Sequence, residues 1–317
     1  MSDMSYRRLG ASGLVVSVVG LGCNNFGRRL DADGTREVVD AAFDAGITLF
    51  DTADVYGTPH GASEEVLGAA LKGRRDEAVL ATKFGMDMEG INGNDFGARG
   101  SRRYIVRAVE ASLRRLETDY IDLYQMHRPD ESTPIDETLA ALDDLVRSGK
   151  VRYLGNSNFA GWQIADAHWT ASAGNLTPFI SAQNRYSLLH REVEDEVVPA
   201  CEHFGLGFLP FFPLDSGLLS GKYRRGERPA AGTRLSQDRY RHWLEGVDWD
   251  TIEALTAFGA ERGHSLLDVA IAGLAARPAV ASVIAGATSA EQVRANAAAG
   301  AWQLSAEDVA ALDRLLH

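Results

Sequence analysis

Gly46-Ile47-Thr48-Leu49-Phe50-Asp51-Thr52-Ala53-Asp54-Val55-Tyr56-Gly57 is the stretch of sequence that decides the fold. Its first five residues form a short run of mostly apolar and β-branched side chains, which is typical of a buried strand. A carboxylate, Asp51, follows this run directly, and a phenol, Tyr56, comes five residues later. The carboxyl ends of strands in a parallel barrel form its functional rim, so the pattern predicts a strand that brings polar side chains to a site.

The same arrangement recurs at the next two strand candidates. Lys83 directly follows Ala78-Val79-Leu80-Ala81-Thr82, and His127 comes shortly after Tyr120-Ile121-Asp122-Leu123-Tyr124. Because the ends of neighbouring parallel strands converge on one rim, we expect this amine and this imidazole to meet the acid and the phenol of the first strand.

Strand-like runs alternate with amphipathic segments throughout the sequence. The strand candidates are residues 18–22, 46–50, 78–82, 120–125, 151–155, 179–183, 206–210 and 280–285. A helix is predicted over residues 33–45, with Asp33 as its N-cap and Gly46 as its stop. Eight such units predict an α/β fold in which residues 1–317 form a single (β/α)8 TIM barrel domain. An N-terminal β-hairpin is expected to cap the barrel, with extra helices near the C-terminus.

A doubly wound dinucleotide-binding fold is the alternative architecture. Its first turn requires the pattern Gly-x-Gly-x-x-Gly, and here Asn25 takes the third glycine position after Gly20 and Gly22. The missing glycine favours the barrel.

Composition excludes several classes of protein. A net charge of −12 argues against nucleic acid as a partner, because phosphate backbones require a basic face. Cys23 and Cys201 show no metal-ligand or redox spacing, so we expect no metal site and two reduced thiols. No run is long enough for a membrane span and no secretory signal is visible, which predicts a cytoplasmic protein without a membrane partner.

Four residue types together suggest proton delivery. A tyrosine ordinarily titrates near ~10, and a neighbouring ammonium favours its phenolate. Lys83 can supply that charge, Asp51 can keep Lys83 charged, and His127 can orient a carbonyl oxygen by a hydrogen bond. We therefore expect the four to stabilise the oxyanion formed when hydride attacks a carbonyl carbon, with Tyr56 as proton donor.

Matching motifs cover nearly the whole chain. They are Gly20-Leu21-Gly22, residues 51–57, Thr82-Lys83, residues 112–116 and 119–127, Gly155-Asn156-Ser157-Asn158 and Gln183-Asn184-Arg185-Tyr186. On these motifs the chain resembles the aldo-keto reductase superfamily. The resemblance implies a barrel that binds a nicotinamide cofactor without a Rossmann domain, and a catalytic tetrad at Asp51, Tyr56, Lys83 and His127.

The resemblance also implies a set of cofactor contacts. They fall on Gly22, Asp51, Ser157, Asn158, Gln183, Phe211, Leu214, Ser216, Leu219, Gly221, Lys222, Arg234, Gly286, Thr288, Gln292 and Asn296. Asn158 has an alternative interpretation as a helix N-cap. Gly286 and Gln292 replace the Lys and Arg that hold the 2′-phosphate in many members, but other members with this pattern still use NADPH. NADPH is therefore the expected cofactor, with NADH as the alternative.

A basic stretch supports phosphate binding independently of the resemblance. From Phe211 to Arg241 the chain has seven basic residues against three acidic ones, although the whole chain is acidic. The basic residues are Lys222, Arg224, Arg225, Arg228, Arg234, Arg239 and Arg241. A solvated charged loop is the alternative interpretation of this stretch.

Three functions are compatible with the four polar residues. The first is a reductase of small aldehydes or ketones, either a monomer or a homo-oligomer. The second is a regulatory subunit that uses the cofactor as a redox sensor, as channel-associated members of the superfamily do. The third, a lyase or isomerase with Lys83 as Schiff base, is disfavoured because Asp51 should keep this amine charged.

Overall fold

Eight parallel strands form the barrel that the sequence predicts. The computed structural model describes residues 4–316, apart from the side chains of Arg239, Arg241 and His242. Two further strands, β1 Tyr6–Arg8 and β2 Val15–Ser17, pair antiparallel as the N-terminal hairpin. The eight barrel strands are β3 Val19–Gly22, β4 Leu49–Asp51, β5 Val79–Phe84, β6 Ile121–Met126, β7 Val151–Ser157, β8 Phe179–Gln183, β9 Gly207–Phe208 and β10 Val283–Gly286. The strand order in the sheet is β10-β3-β4-β5-β6-β7-β8-β9. Backbone bonds from Phe208 N to Ala279 O (2.7 Å) and from Ile284 N to Pro210 O (2.9 Å) join its two edges.

Helices surround the strands, as the amphipathic segments predict. They are α1 Ala32–Asp44, α2 Ala62–Ala70, α3 Arg102–Arg115, α4 Ile135–Arg147, α5 Gly161–Gly174, α6 Val197–Phe204, α7 Trp249–Ala260, α8 Leu266–Ala275, α9 Ala290–Ala299 and α10 Ala306–Leu315. The predicted N-cap of the first helix is wrong. Asp31, not Asp33, accepts a hydrogen bond from the backbone of Gly34, and Asp33 lies in the first turn. Gly46 follows the C-cap with a φ of 81°, as expected of a helix stop.

Two apolar layers hold the barrel together. The larger lies between the strands and the helices, and the smaller fills the barrel interior with side chains such as Leu49, Leu123 and Leu209. Leu9 and Val16 from the β1–β2 hairpin complete the inner layer from below. The predicted hairpin cap is therefore confirmed as part of the core.

Gly10 allows the hairpin to approach the barrel closely. Its φ is 60°, and a Cβ here would lie 2.4 Å from Gly205 O and 2.5 Å from Gly207 N. Any larger residue would push the hairpin away from the start of β9.

Two long loops follow strand ends and lie at the rim. They are the β5–α3 loop (residues 85–101) and the β9–α7 loop (residues 209–248). The second contains three short 3-10 helices, Asp215–Ser220, Arg234–Ser236 and Asp238–Leu244. Within residues 4–316, none of the helices has the length and apolarity needed to cross a bilayer.

Candidate active site

Asp51 and Lys83 form a buried ion pair at adjacent strand ends. The Lys83 ammonium donates to Asp51 Oδ2 at 2.6 Å and to the backbone oxygen of Thr52 at 2.9 Å. Asp51 Oδ1 accepts from Gln125 Nε2 and Gln183 Nε2, both at 3.0 Å. We call Asp51, Lys83, Gln125 and Gln183 the buried floor. Hydrogen bonds on both carboxylate oxygens offset the cost of burying this pair.

Tyr56 and His127 lie next to the floor and line the cavity above it. The Lys83 ammonium is 5.1 Å from the centroid of the Tyr56 ring. The Tyr56 and His127 ring centroids are 5.8 Å apart in an edge-on arrangement. The structure therefore brings together the acid, phenol, amine and imidazole that the sequence places at separate strand ends.

Two opposing effects act on the pKa of Tyr56, and the stronger one is not the one that the sequence led us to expect. Burial raises the pKa of Tyr56 above its ordinary value of 10.0, although Lys83 acts to lower it. The expected cation is present, but desolvation of the phenolate is the larger effect. Tyr56 is consequently held protonated, which suits a proton donor.

Lys83 and His127 have opposite protonation states. Burial alone would lower the pKa of Lys83, but Asp51 and Tyr56 outweigh it and raise the pKa above 10.5. A charged amine of this kind is unsuited to Schiff-base formation. Burial, together with Lys83 and Arg128, lowers the pKa of His127 well below 6.5, so the imidazole is neutral. Its Nδ1 is buried with no hydrogen-bond partner among residues 4–316.

The end of β7 carries the predicted nicotinamide-binding residues. Asn158 adopts a left-handed backbone conformation (φ 59°), and its Nδ2 donates to the backbone oxygen of His127 and to Ser157 Oγ, both at 3.0 Å. Its interpretation as a helix N-cap is wrong, because α5 begins at Gly161 with Ala160 as its N-cap. Phe211 is fixed nearby by a backbone bond from its N–H to Asn184 O.

A cavity of about 640 Å³ opens above these residues. Sixteen of the predicted site residues line it: Gly22, Asp51, Tyr56, His127, Ser157, Asn158, Gln183, Phe211, Leu214, Ser216, Lys222, Arg234, Gly286, Thr288, Gln292 and Asn296. Lys83 lies beneath the surface of the cavity, and Leu219 is fully buried behind it. Gly221 does not contribute to the lining either.

The charge of the cavity lining is strongly positive. Arg29, Arg128, Lys222 and Arg234 line it, and Asp51 is the single acid among the described lining residues. Arg224, from the predicted basic stretch, lies instead in a small depression beside Glu227 and Trp249. The side chains of Arg239 and Arg241 lie outside the described part of the structure. An excess of cations over acids suits a ligand with several phosphates.

Sequence reasoning missed two kinds of residue. Gln125 lies on β6 opposite Lys83, and its signal was a lone amide in an otherwise apolar and aromatic strand end. Arg29 reaches the cavity from the β3–α1 loop, which has no strand pattern to mark it. Within residues 4–316, no cluster of three or more metal-ligating side chains is found.

Comparisons with known proteins agree with this geometry. Residues 18–317 match the model of the aldo/keto reductase family. Uncharacterized oxidoreductase YrpG of Bacillus subtilis (strain 168) is 39% identical, and the match covers 92% of this chain and 89% of that protein. A probable voltage-gated potassium channel subunit beta of Oryza sativa subsp. japonica is 38% identical, with 92% and 90% covered. The L-glyceraldehyde 3-phosphate reductase of Escherichia coli (strain K12) is 33% identical, with 93% and 87% covered. With a barrel of this topology and a family match over nearly its whole length, the chain belongs to the aldo/keto reductase family.

Proposed function

We propose that the protein is an NADPH-dependent oxidoreductase that reduces aldehydes or ketones to alcohols, with Tyr56 as the proton donor. One observation supports this above all others: a phenol and an imidazole line one cavity next to a buried amine. Lys83 Nζ lies 5.1 Å from the centroid of the Tyr56 ring, and the His127 ring centroid is 5.8 Å from the same centroid.

The cavity suits a nicotinamide dinucleotide. Its volume of about 640 Å³ is within the usual range for ligand sites. Phe211, Ser157 and Asn158 would hold the nicotinamide, with polar partners for its amide. Lys222 and Arg234 would hold the phosphates. When bound, the reduced cofactor supplies the hydride.

The side chains around the cavity have distinct tasks in this proposal. Neutral His127 donates a hydrogen bond from Nε2 to the carbonyl oxygen and fixes its position. Tyr56 then transfers the proton of its hydroxyl to that oxygen as negative charge develops there. Charged Lys83 stabilises the resulting phenolate, and Asp51 keeps Lys83 charged through the 2.6 Å hydrogen bond.

A panel of aldehydes and ketones with NADPH tests the proposal. We expect repeated turnover, measured as substrate-dependent loss of NADPH absorbance and as alcohol formed in equal amount. Binding of NADPH without turnover of any carbonyl compound on a broad panel would contradict it.

A redox-sensing regulatory subunit is the second candidate. The 38% identity to a protein named as a probable potassium channel beta subunit favours it. A sensor would oxidise its bound NADPH in a single slow turnover and retain the oxidised nucleotide. Pre-steady-state mixing with an active aldehyde distinguishes the two functions, because an enzyme continues well beyond the first turnover.

A further inference from the structure

Two guanidinium groups that line the cavity have no acidic partner among the described residues. Arg29 and Arg234 both line the cavity, on opposite loops. Within the described part of the chain, neither side chain makes a hydrogen bond or an ion pair. Burial and the positive charge of Arg29 both lower the pKa of Arg234. Two like charges that face the same space without a counter-ion favour binding of an anion there.

The loop that carries Arg29 is held in place by backbone bonds. The Arg29 N–H donates to Asn25 O at 2.8 Å, and the Gly27 N–H donates to Leu30 O at 2.9 Å. Gly27 has a φ of 64°, and a Cβ there would lie 2.6 Å from the backbone of Ala62 at the start of α2. Arg29 is therefore presented from a closely packed turn, so that binding a ligand need not order the backbone there.

The same loop is joined to the β10–α9 loop. Buried Asn25 donates from Nδ2 to Ala287 O at 3.2 Å. Ala287 follows Gly286, which replaces a residue that holds the 2′-phosphate in many members of the family. Arg29 thus lies in a turn that is bonded to the β10–α9 loop.

The β10–α9 loop itself lacks a cation that faces the cavity. Gly286 has no side chain, and the Gln292 amide oxygen already accepts from Thr288 N at 2.9 Å. A dianionic phosphate beside this loop would therefore need its charge compensated from the loops on either side.

We propose that Arg29 acts with Arg234 to bind the 2′-phosphate of NADPH, and that Arg29 is the residue that makes the protein prefer NADPH to NADH. The inference rests on the proposed function, because it names the cofactor of the same site. A 2′-phosphate carries charge that NADH lacks, and a guanidinium can bind it with two parallel hydrogen bonds.

Equilibrium binding without a carbonyl substrate tests this inference. We would measure dissociation constants of NADPH, NADH, adenosine 2′,5′-bisphosphate and ADP by tryptophan fluorescence or calorimetry. Arg29→Ala should weaken NADPH and adenosine 2′,5′-bisphosphate by about 10- to 100-fold and NADH and ADP by less than about 2-fold. Arg28→Ala is the matched control, because Arg28 is the adjacent exposed arginine and does not line the cavity. It should change all four constants by less than about 3-fold.

Three results would overturn the inference. Equal losses of affinity for NADPH and NADH would show that Arg29 contacts the pyrophosphate, which both nucleotides share. An unchanged NADPH constant with a raised KM for a phosphorylated aldehyde would make it a substrate contact. Unchanged dissociation constants for all four nucleotides would show that Arg29 does not contribute to nucleotide binding. Arg29→Lys is a second variant that keeps the charge, and it should recover part of the NADPH affinity.

The outcome is separable from that of the proposed function. A wild-type protein that prefers NADPH but reduces no carbonyl compound supports the role of Arg29 and contradicts the reductase. A wild-type protein that binds no nicotinamide nucleotide contradicts both.

Discussion

The buried floor and the β9–α7 loop differ in how completely their polar groups are paired. On the floor, Asp51 accepts from an amine and two amides, and Lys83 is fully buried with two acceptors. In the loop, Phe212, Asp215 and Ser216 have left-handed backbones. Its cavity-lining cations, Lys222 and Arg234, form no ion pair with any described residue.

This difference separates two tasks. Groups that must stabilise charge during a reaction work best when they are fixed in advance, because then no reorganisation is needed as the charge develops. Groups that admit and release a large ligand must be able to move. The strands supply the first kind of position and the loop supplies the second, so substitutions in the two regions should have separate effects.

Tyr56→Phe should have the largest effect. Without the phenolic proton, kcat for carbonyl reduction should fall by about 10³-fold. The dissociation constant of NADPH should stay within about 2-fold, since the ring itself remains in place. Steady-state kinetics and nucleotide titration measure the two quantities. Turnover near the wild-type value would show that another group delivers the proton.

Lys83→Met and Lys222→Met compare the two regions with the same substitution. On the floor, the change leaves the Asp51 carboxylate buried without its cation and should lower the free energy of unfolding by about 3–5 kcal/mol. In the loop, Lys222 is exposed, and its loss should change that free energy by less than about 0.5 kcal/mol. Urea denaturation of both variants without cofactor gives the comparison.

Nucleotide binding should separate the two variants in the opposite way. Lys222→Met should weaken both NADPH and NADH, because the proposed contact is the pyrophosphate that they share. If the two variants lost similar stability, the loop would be as tightly integrated as the floor and the contrast between the regions would be wrong.

The strands made much of the fold and floor predictable from sequence. The alternation of short apolar runs with amphipathic segments fixes the barrel. Asp51 and Lys83 end two neighbouring strands, so their meeting follows from parallel pairing. The helix start was harder, because Asp31 and Asp33 are both acceptable N-caps and only the chain's path into the helix selects Asp31.

The role of Arg29 and the net effect on Tyr56 were not predictable. Arg29 comes near Arg234 only because separate loops fold over the same opening, and no motif or periodicity marks Arg29. The proximity of Lys83 to Tyr56 was foreseen. The size of the opposing desolvation was not, because it depends on how completely the surrounding side chains exclude water.

Ser216→Gly tests the strain in the loop. Ser216 has a φ of 60°, a conformation that glycine adopts at no steric cost. The substitution should raise the free energy of unfolding by up to about 1 kcal/mol. Ser236→Gly is the matched control, because Ser236 does not have a positive φ and its hydroxyl donates to Thr233 O at 2.8 Å. The free energy of unfolding of the control should fall by about 0.5–1 kcal/mol. A fall in both variants would mean that the backbone of Ser216 is not strained.

The pH profile should show the smallest change and bears directly on the floor. With saturating NADPH and carbonyl compound, kcat for reduction should vary by less than about 2-fold between about pH 7 and pH 9. The donor must be protonated, so activity is lost only as pH rises through the pKa of Tyr56, which burial raises above 10.0. The imidazole must be neutral, so activity is lost only as pH falls through the pKa of His127, which lies well below 6.5. A decline centred near about pH 8 would mean that Lys83 outweighs burial at Tyr56. The floor would then be tuned to release the proton readily, at the cost of keeping the donor fully protonated.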